Sequence, residues 1–122
     1  TSFTYDSAGN QKTVTSPGGS VTTYNYDTLN RVSSITDTLG TVATNTYDAN
    51  SNKLTETDGN SNTVTYAYDA KNRVTTTTDS LANNTTNTYD ANSNLLIQTD
   101  RNNNVTTFTY DALNRKKIIK DT

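Results

Sequence analysis

The dipeptide Tyr-Asp returns every 21 residues, at Tyr5-Asp6, Tyr26-Asp27, Tyr47-Asp48, Tyr68-Asp69, Tyr89-Asp90 and Tyr110-Asp111, without a single insertion. A fixed period of this kind marks one supersecondary unit repeated in tandem, each unit covering a face of its neighbour. A second aspartate stands eleven residues after the Tyr, at Asp37, Asp58, Asp79, Asp100 and Asp121, with Ser16 in that place in the first period. All aspartates fall on these two positions, and Glu56 is the one acid out of register.

Inside each period the side chains alternate as a strand requires. In Val21-Thr22-Thr23-Tyr24-Asn25-Tyr26, Thr22, Tyr24 and Tyr26 share one face while Thr23 and Asn25 share the other, and Val64–Tyr68 repeats the pattern. The Tyr is followed by Asp-x-x-Asn-Arg or Asp-Ala-Asn-Ser-Asn. These are turn sequences, because Asp and Asn side chains bond nearby backbone and tolerate left-handed conformations. A second strand follows, such as Arg31–Thr36, and ends in a second turn at Pro17-Gly18-Gly19, Leu39-Gly40 or Asp58-Gly59-Asn60. Two strands and two turns per period predict tandem antiparallel β-hairpins. They form one continuous all-β array over residues 1–122, an elongated or spiralling, solenoid-like sheet. No helix is expected, since Thr and Asn are poor helix formers and no 3.6-residue period is present.

A 42-residue superperiod lies over the shorter one. Tyr24, Tyr66 and Phe108 precede the Tyr by two positions in alternate repeats, and Arg31, Arg73 and Arg115 follow it by five. The intervening repeats carry Asn45 and Asn87, then Asn52 and Asn94; Phe3 breaks the alternation in the first repeat. Two kinds of hairpin therefore alternate and are expected to meet different surroundings.

Hydrophobic residues make up only 30% of the chain, and Trp, Met, Cys and His are absent. A conventional core would be thin, so stability is expected to come from neighbour contacts repeated along the array. Cross-strand aromatic and Thr–Thr pairs contribute roughly 0.2–1 kcal/mol each. Ten basic and twelve acidic residues leave a net charge of −2. That balance offers no footprint for nucleic acid, and no apolar run reaches membrane-spanning length. Without cysteine there is neither a disulfide framework nor a thiolate metal site. The chain opens on Thr1-Ser2-Phe3 and stops half-way through a repeat, as expected of a fragment of something longer.

The elements Tyr5-Asp6-Ser7-Ala8-Gly9-Asn10 and Tyr110-Asp111-Ala112-Leu113-Asn114-Arg115, with Thr36-Asp37-Thr38-Leu39-Gly40, resemble the YD repeat of Rhs-type proteins. Rhs proteins, shell subunits of insecticidal toxin complexes and teneurins share this repeat, and the resemblance spans all six periods. It implies a long spiralling β-sheet, secreted or at the cell surface, that forms a hollow shell around a toxin or a barrel for cell contact. Carbohydrate binding also goes with it. The closing core domain of the family, with its self-cleaving aspartate site, has no counterpart here.

Four stretches resemble the first ligands of a calcium loop: Asp48, Asn50, Asn52; Asp58, Asn60, Asn62; Asp90, Asn92, Asn94; and Asp100, Asn102, Asn104. They lack the closing bidentate Glu of such a loop, and the alternative reading is Asx-turns that end strands. No other cofactor is implied. The pairs Asp27–Arg31, Asp69–Arg73 and Asp111–Arg115 suit ion pairs across a turn, or a ligand groove recurring every 42 residues. Tyr at a fixed strand position suits a packed ladder or a sugar-stacking platform. Asn83, Asn84 and Asn104 begin N-glycosylation acceptor patterns, which a chain rich in Asn and Thr produces readily. An active site would be a local exception to the repeat, and the aspartates recur everywhere alike. The sequence therefore predicts a non-catalytic scaffold, extracellular or on the cell surface and bacterial, building a fibre or appendage. The alternatives are a shell wall around a toxin domain and a glycan-binding adhesin stalk. Its partners are neighbouring repeats, of the same or identical chains, with glycans or an enclosed toxin in the alternatives.

Overall fold

A three-residue loop with its fourth turn position in the left-handed region joins antiparallel strands tightly, and this chain repeats that solution along its length. The structure, a computed structural model, describes residues 1–121. Thr122 and the side chains of Ile118, Lys120 and Asp121 lie outside the described residues.

Twelve strands follow the chain: β1 Ser2–Tyr5, β2 Gln11–Thr15, β3 Val21–Tyr26, β4 Val32–Asp37, β5 Gly40–Tyr47 and β6 Lys53–Asp58, then β7 Thr63–Tyr68, β8 Val74–Thr78, β9 Asn84–Tyr89, β10 Leu95–Thr99, β11 Val105–Tyr110 and β12 Lys116–Asp121. The expected all-β fold is present, and no helix occurs among the described residues. The chain divides into two compact units, Thr1–Thr63 and the part from Val64 onward. Within each, every strand pairs antiparallel with its sequence neighbours.

Each Tyr of the repeat is the last residue of its strand, and the Asp after it opens the turn. In the first turn Gly9 N–H donates to the Asp6 carbonyl, Asp6 N–H donates to the Asn10 carbonyl, and Gly9 has φ 85°. The same pair of bonds recurs in the later Tyr-Asp turns and in the second turns opened by Ser16, Asp58, Asp79 and Asp100. Asn30, Ser51, Asn72, Ser93 and Asn114 occupy the left-handed position in the later Tyr-Asp turns. The turn opened by Asp37 departs from this. Asp37 pairs directly with Gly40 across a two-residue loop, and the spare residue reappears in β5 as a bulge at Val42. Moving one residue from loop to strand keeps the 21-residue period intact.

The strand expected over Arg31–Thr36 begins one residue later, at Val32, because Arg31 still belongs to the turn: its carbonyl accepts from Asp27 N–H. A bulge follows each Tyr-Asp turn. Tyr26 faces Val32 while Asn25 faces Ser34, which leaves Ser33 as the extra residue. The same shift occurs beside Tyr5, Tyr47, Tyr68, Tyr89 and Tyr110.

The sheet has almost no interior. Phe108, 9% exposed, is the buried hydrophobic side chain among the described residues, while Leu39 at a turn tip is 94% exposed. Side chains two before the Tyr are half-buried in the middle repeats, as Tyr24 opposite Ile35 and Tyr66 opposite Thr77. The opposite face carries small polar residues that pair across strands. Thr4 and Thr13 share a hydroxyl bond of 2.6 Å, Thr46 and Thr55 one of 2.7 Å, and Asn25 Nδ2 donates to Ser34 Oγ at 2.9 Å.

Candidate functional site

The ladders between neighbouring hairpins are short and stop before they reach the Tyr-Asp turns. Between β2 and β3 the last pair on that side is Thr13–Thr23, and between β4 and β5 it is Ser34–Thr44. Beyond that point side chains take over, since a carbonyl left unpaired away from water is costly. Tyr26 Oη donates to the Gln11 carbonyl at 2.8 Å, Tyr47 Oη to Val32 at 2.9 Å, Tyr89 Oη to Val74 at 2.8 Å, and Tyr110 Oη to Leu95 at 2.9 Å. In each case the acceptor sits in the preceding hairpin, opposite that hairpin's own Tyr and next to the bulge. Asn45 and Asn87 add an Nδ2 donor to Val32 and Val74, at 3.1 and 3.3 Å.

The turns themselves are clasped. Asp27 Oδ1 accepts from the backbone N–H of Leu29 and Arg31, and Oδ2 accepts from Arg31 Nε at 2.7 Å. The Arg31 guanidinium then reaches the next turn. Its Nη1 donates to the Asp48 carbonyl at 2.8 Å and to Ser51 Oγ at 3.2 Å, and its plane lies 4.6 Å from the Tyr47 ring centre. Arg73 repeats this arrangement on Asp69, the Asp90 carbonyl, Ser93 Oγ and the Tyr89 ring. In the alternate turns Asn stands in for Arg. Asn10 Nδ2 closes on Asp6 Oδ2 at 3.0 Å and reaches Asn30 Oδ1 at 2.9 Å; Asn94 does the same with Asp90 and Asn114. Arg115 closes on Asp111, and its side chain is 74% exposed where those of Arg31 and Arg73 are 20% exposed.

Hydrogen bonds to the ionised form hold these carboxyls below the ordinary aspartate value of 3.8. For Asp27 and Asp69 the Arg side-chain bond is the largest cause; for Asp6, Asp48, Asp58, Asp79, Asp90 and Asp100 it is the Asn side chain four residues on. For Asp111 the Arg115 backbone N–H leads.

The four calcium-like stretches have the same geometry. Asp48, Asp58, Asp90 and Asp100 each accept two backbone N–H bonds on Oδ1 and an Asn52, Asn62, Asn94 or Asn104 amide on Oδ2. A cation would face amide hydrogens at each of them. Among the described residues no three acidic side chains gather as metal ligands. Of the glycosylation candidates, the Asn83 and Asn104 amides donate to Asp79 and Asp100, and Asn84 accepts from Thr78 Oγ. A cavity of about 320 Å³ opens between two Tyr-Asp turns, lined by Asp90, Asn94, Leu96, Phe108, Tyr110 and Asn114 among others. Among the described residues no helix is long and apolar enough to cross a membrane.

The bulges, the acceptors of the Tyr hydroxyls and the turn-to-turn clasps do not follow from strand alternation and turn chemistry alone. Their signal was present in the invariant spacing of Tyr, Asp and the Asn or Arg five residues after the Tyr.

The sequence profile of the RHS repeat family matches residues 1–42, 47–86 and 89–121. The chain belongs to the RHS repeat family. Among curated proteins no match was found. Solved structures share the fold. A crystal structure of TcdB2–TccC3 with Cdc42 superposes with a TM-score of 0.83 at 22% identity, covering 93% of this chain and 6% of that one. TcdB2–TccC3 alone gives 0.82 at 22% identity, with 93% and 7% covered. A Tc holotoxin pore of Photorhabdus luminescens gives 0.80 at 22%, with 93% and 6% covered. This RHS repeat chain therefore spans a small fraction of the structures it resembles.

Proposed function

We propose that this RHS repeat segment is a non-catalytic structural wall, secreted or displayed at the cell surface, whose hairpins exist to extend a sheet. The observation that carries this reading is the seam along the Tyr-Asp turns. The side chains that recur there are engaged in closing their own turn or holding the next one. The likeness to TcdB2–TccC3 and to the holotoxin pore supports the finer reading of a shell wall, with an enclosed toxin domain as partner. The unbroken 21-residue spacing favours a second reading, a fibre or surface appendage, because every unit then needs the same neighbour.

Electron microscopy of the native full-length protein separates the two. Closed hollow particles with density inside are expected for the shell. Long filaments with hairpins stacked about every 9.5 Å, two strand spacings, would replace it with the fibre. Compact solid particles would overturn the scaffold reading itself.

A further inference from the structure

Every Tyr-Asp turn has a giving side and, after the first, where Gly9 stands, a receiving side chain. The giver is the residue five after the Tyr, and the receiver is the left-handed residue just before it. Two combinations join successive turns: Asn10 gives to Asn30 and Asn94 to Asn114, while Arg31 gives to Ser51 and Arg73 to Ser93. The reaches are complementary. Two medium side chains meet amide to amide at 2.9 Å. A long guanidinium instead meets a short hydroxyl, and a short receiver also leaves room for it to reach the Asp carbonyl at 2.8 Å and lie over the Tyr ring.

We infer that this residue pair is a stacking code which decides which hairpin can follow which. This goes beyond the scaffold reading, which says only that hairpins stack. A turn that receives with Ser gives with Asn (Ser51-Asn52, Ser93-Asn94), and a turn that receives with Asn gives with Arg (Asn30-Arg31, Asn72-Arg73, Asn114-Arg115). Neither type fits after itself, so the two must alternate, and the 42-residue superperiod is the outcome. An Asn giver facing a Ser receiver falls short. An Arg giver facing an Asn receiver is crowded off the ring and carbonyl. The turn that fits against Arg115 is accordingly one with Tyr, Asp and a left-handed Ser.

A double-mutant cycle on the 122-residue chain tests the code. Arg31→Asn and Ser51→Asn each create a mismatched pair; together they rebuild an Asn-to-Asn pair. Asn is more at ease than Ser at φ 69°, the value at Ser51, but that gain does not depend on residue 31 and cancels in the cycle. The double variant is expected to melt at least about 2 °C above the sum of the single effects. Simple additivity would overturn the code. Should Arg31→Asn fail to fold, the reverse exchange decides: Asn10→Arg with Asn30→Ser rebuilds an Arg-to-Ser pair. The same positive departure is expected from it, and additivity there is equally fatal.

Discussion

Asn45 Oδ1 is buried and has no hydrogen-bond partner. Its counterpart Asn87 does, because Gln98 Nε2 donates to Asn87 Oδ1 at 3.2 Å from the facing strand position. Opposite Asn45 stands Glu56, an ionised acceptor that binds Lys53 Nζ at 2.9 Å instead. The acid that broke the register in the sequence therefore sits where a donor is wanted. Glu56→Gln is expected to stabilise the first unit by about 1 kcal/mol in urea melts, the usual cost of one unmet buried polar atom, less the small contribution of an exposed ion pair. Ala82 is a second local conflict, at φ 64° without the Cβ-free backbone of Gly or the side-chain help of Asn. Ala82→Gly is expected to stabilise by about 0.5–1 kcal/mol, since the left-handed penalty exceeds the entropy lost. Neither conflict was legible from composition. They appear only when the periods are laid over one another on the folded register.

Among the elements, turns were the most legible, because Asp, Asn and Gly at fixed offsets have few other local solutions. Bulges were hidden: one extra residue in a strand looks the same in sequence as one extra residue in a loop, as β5 shows when Val42 takes up what the Asp37 turn gives away. The Tyr latches were hidden too, since their acceptors are defined by where a ladder stops. They lead to a graded expectation. Tyr26→Phe and Tyr110→Phe should cost about 1 kcal/mol, whereas Tyr47→Phe and Tyr89→Phe should cost less, because Asn45 and Asn87 still serve those carbonyls. Equal losses in thermal melts would count against the latch. The aspartate turns carry a pH signature. Folded carboxyls held below 3.8 contribute stability that is complete above the unfolded value and is lost as pH falls through the folded one. Circular dichroism should show a steep loss of sheet below about pH 4, with several carboxyls taking up protons together. A chain equally stable at pH 2 and pH 6 would contradict this.

At the scale of the whole molecule, period and fold class were readable because a repeat averages away the accidents of any one copy. What holds the copies together was not, since it depends on side chains crossing from one turn to the next. With so little interior, stability must come from neighbours, in the manner of a one-dimensional array. A peptide of one 42-residue pair, residues 22–63, is expected to show no cooperative thermal transition by circular dichroism. The strict alternation of the clasps also constrains inheritance. Tandem genes gain and lose copies by slippage and unequal crossing-over, and a gain of one hairpin would leave two like turns face to face. Arrays of this kind are free to grow or shrink in even steps, so the heritable unit of length is the pair.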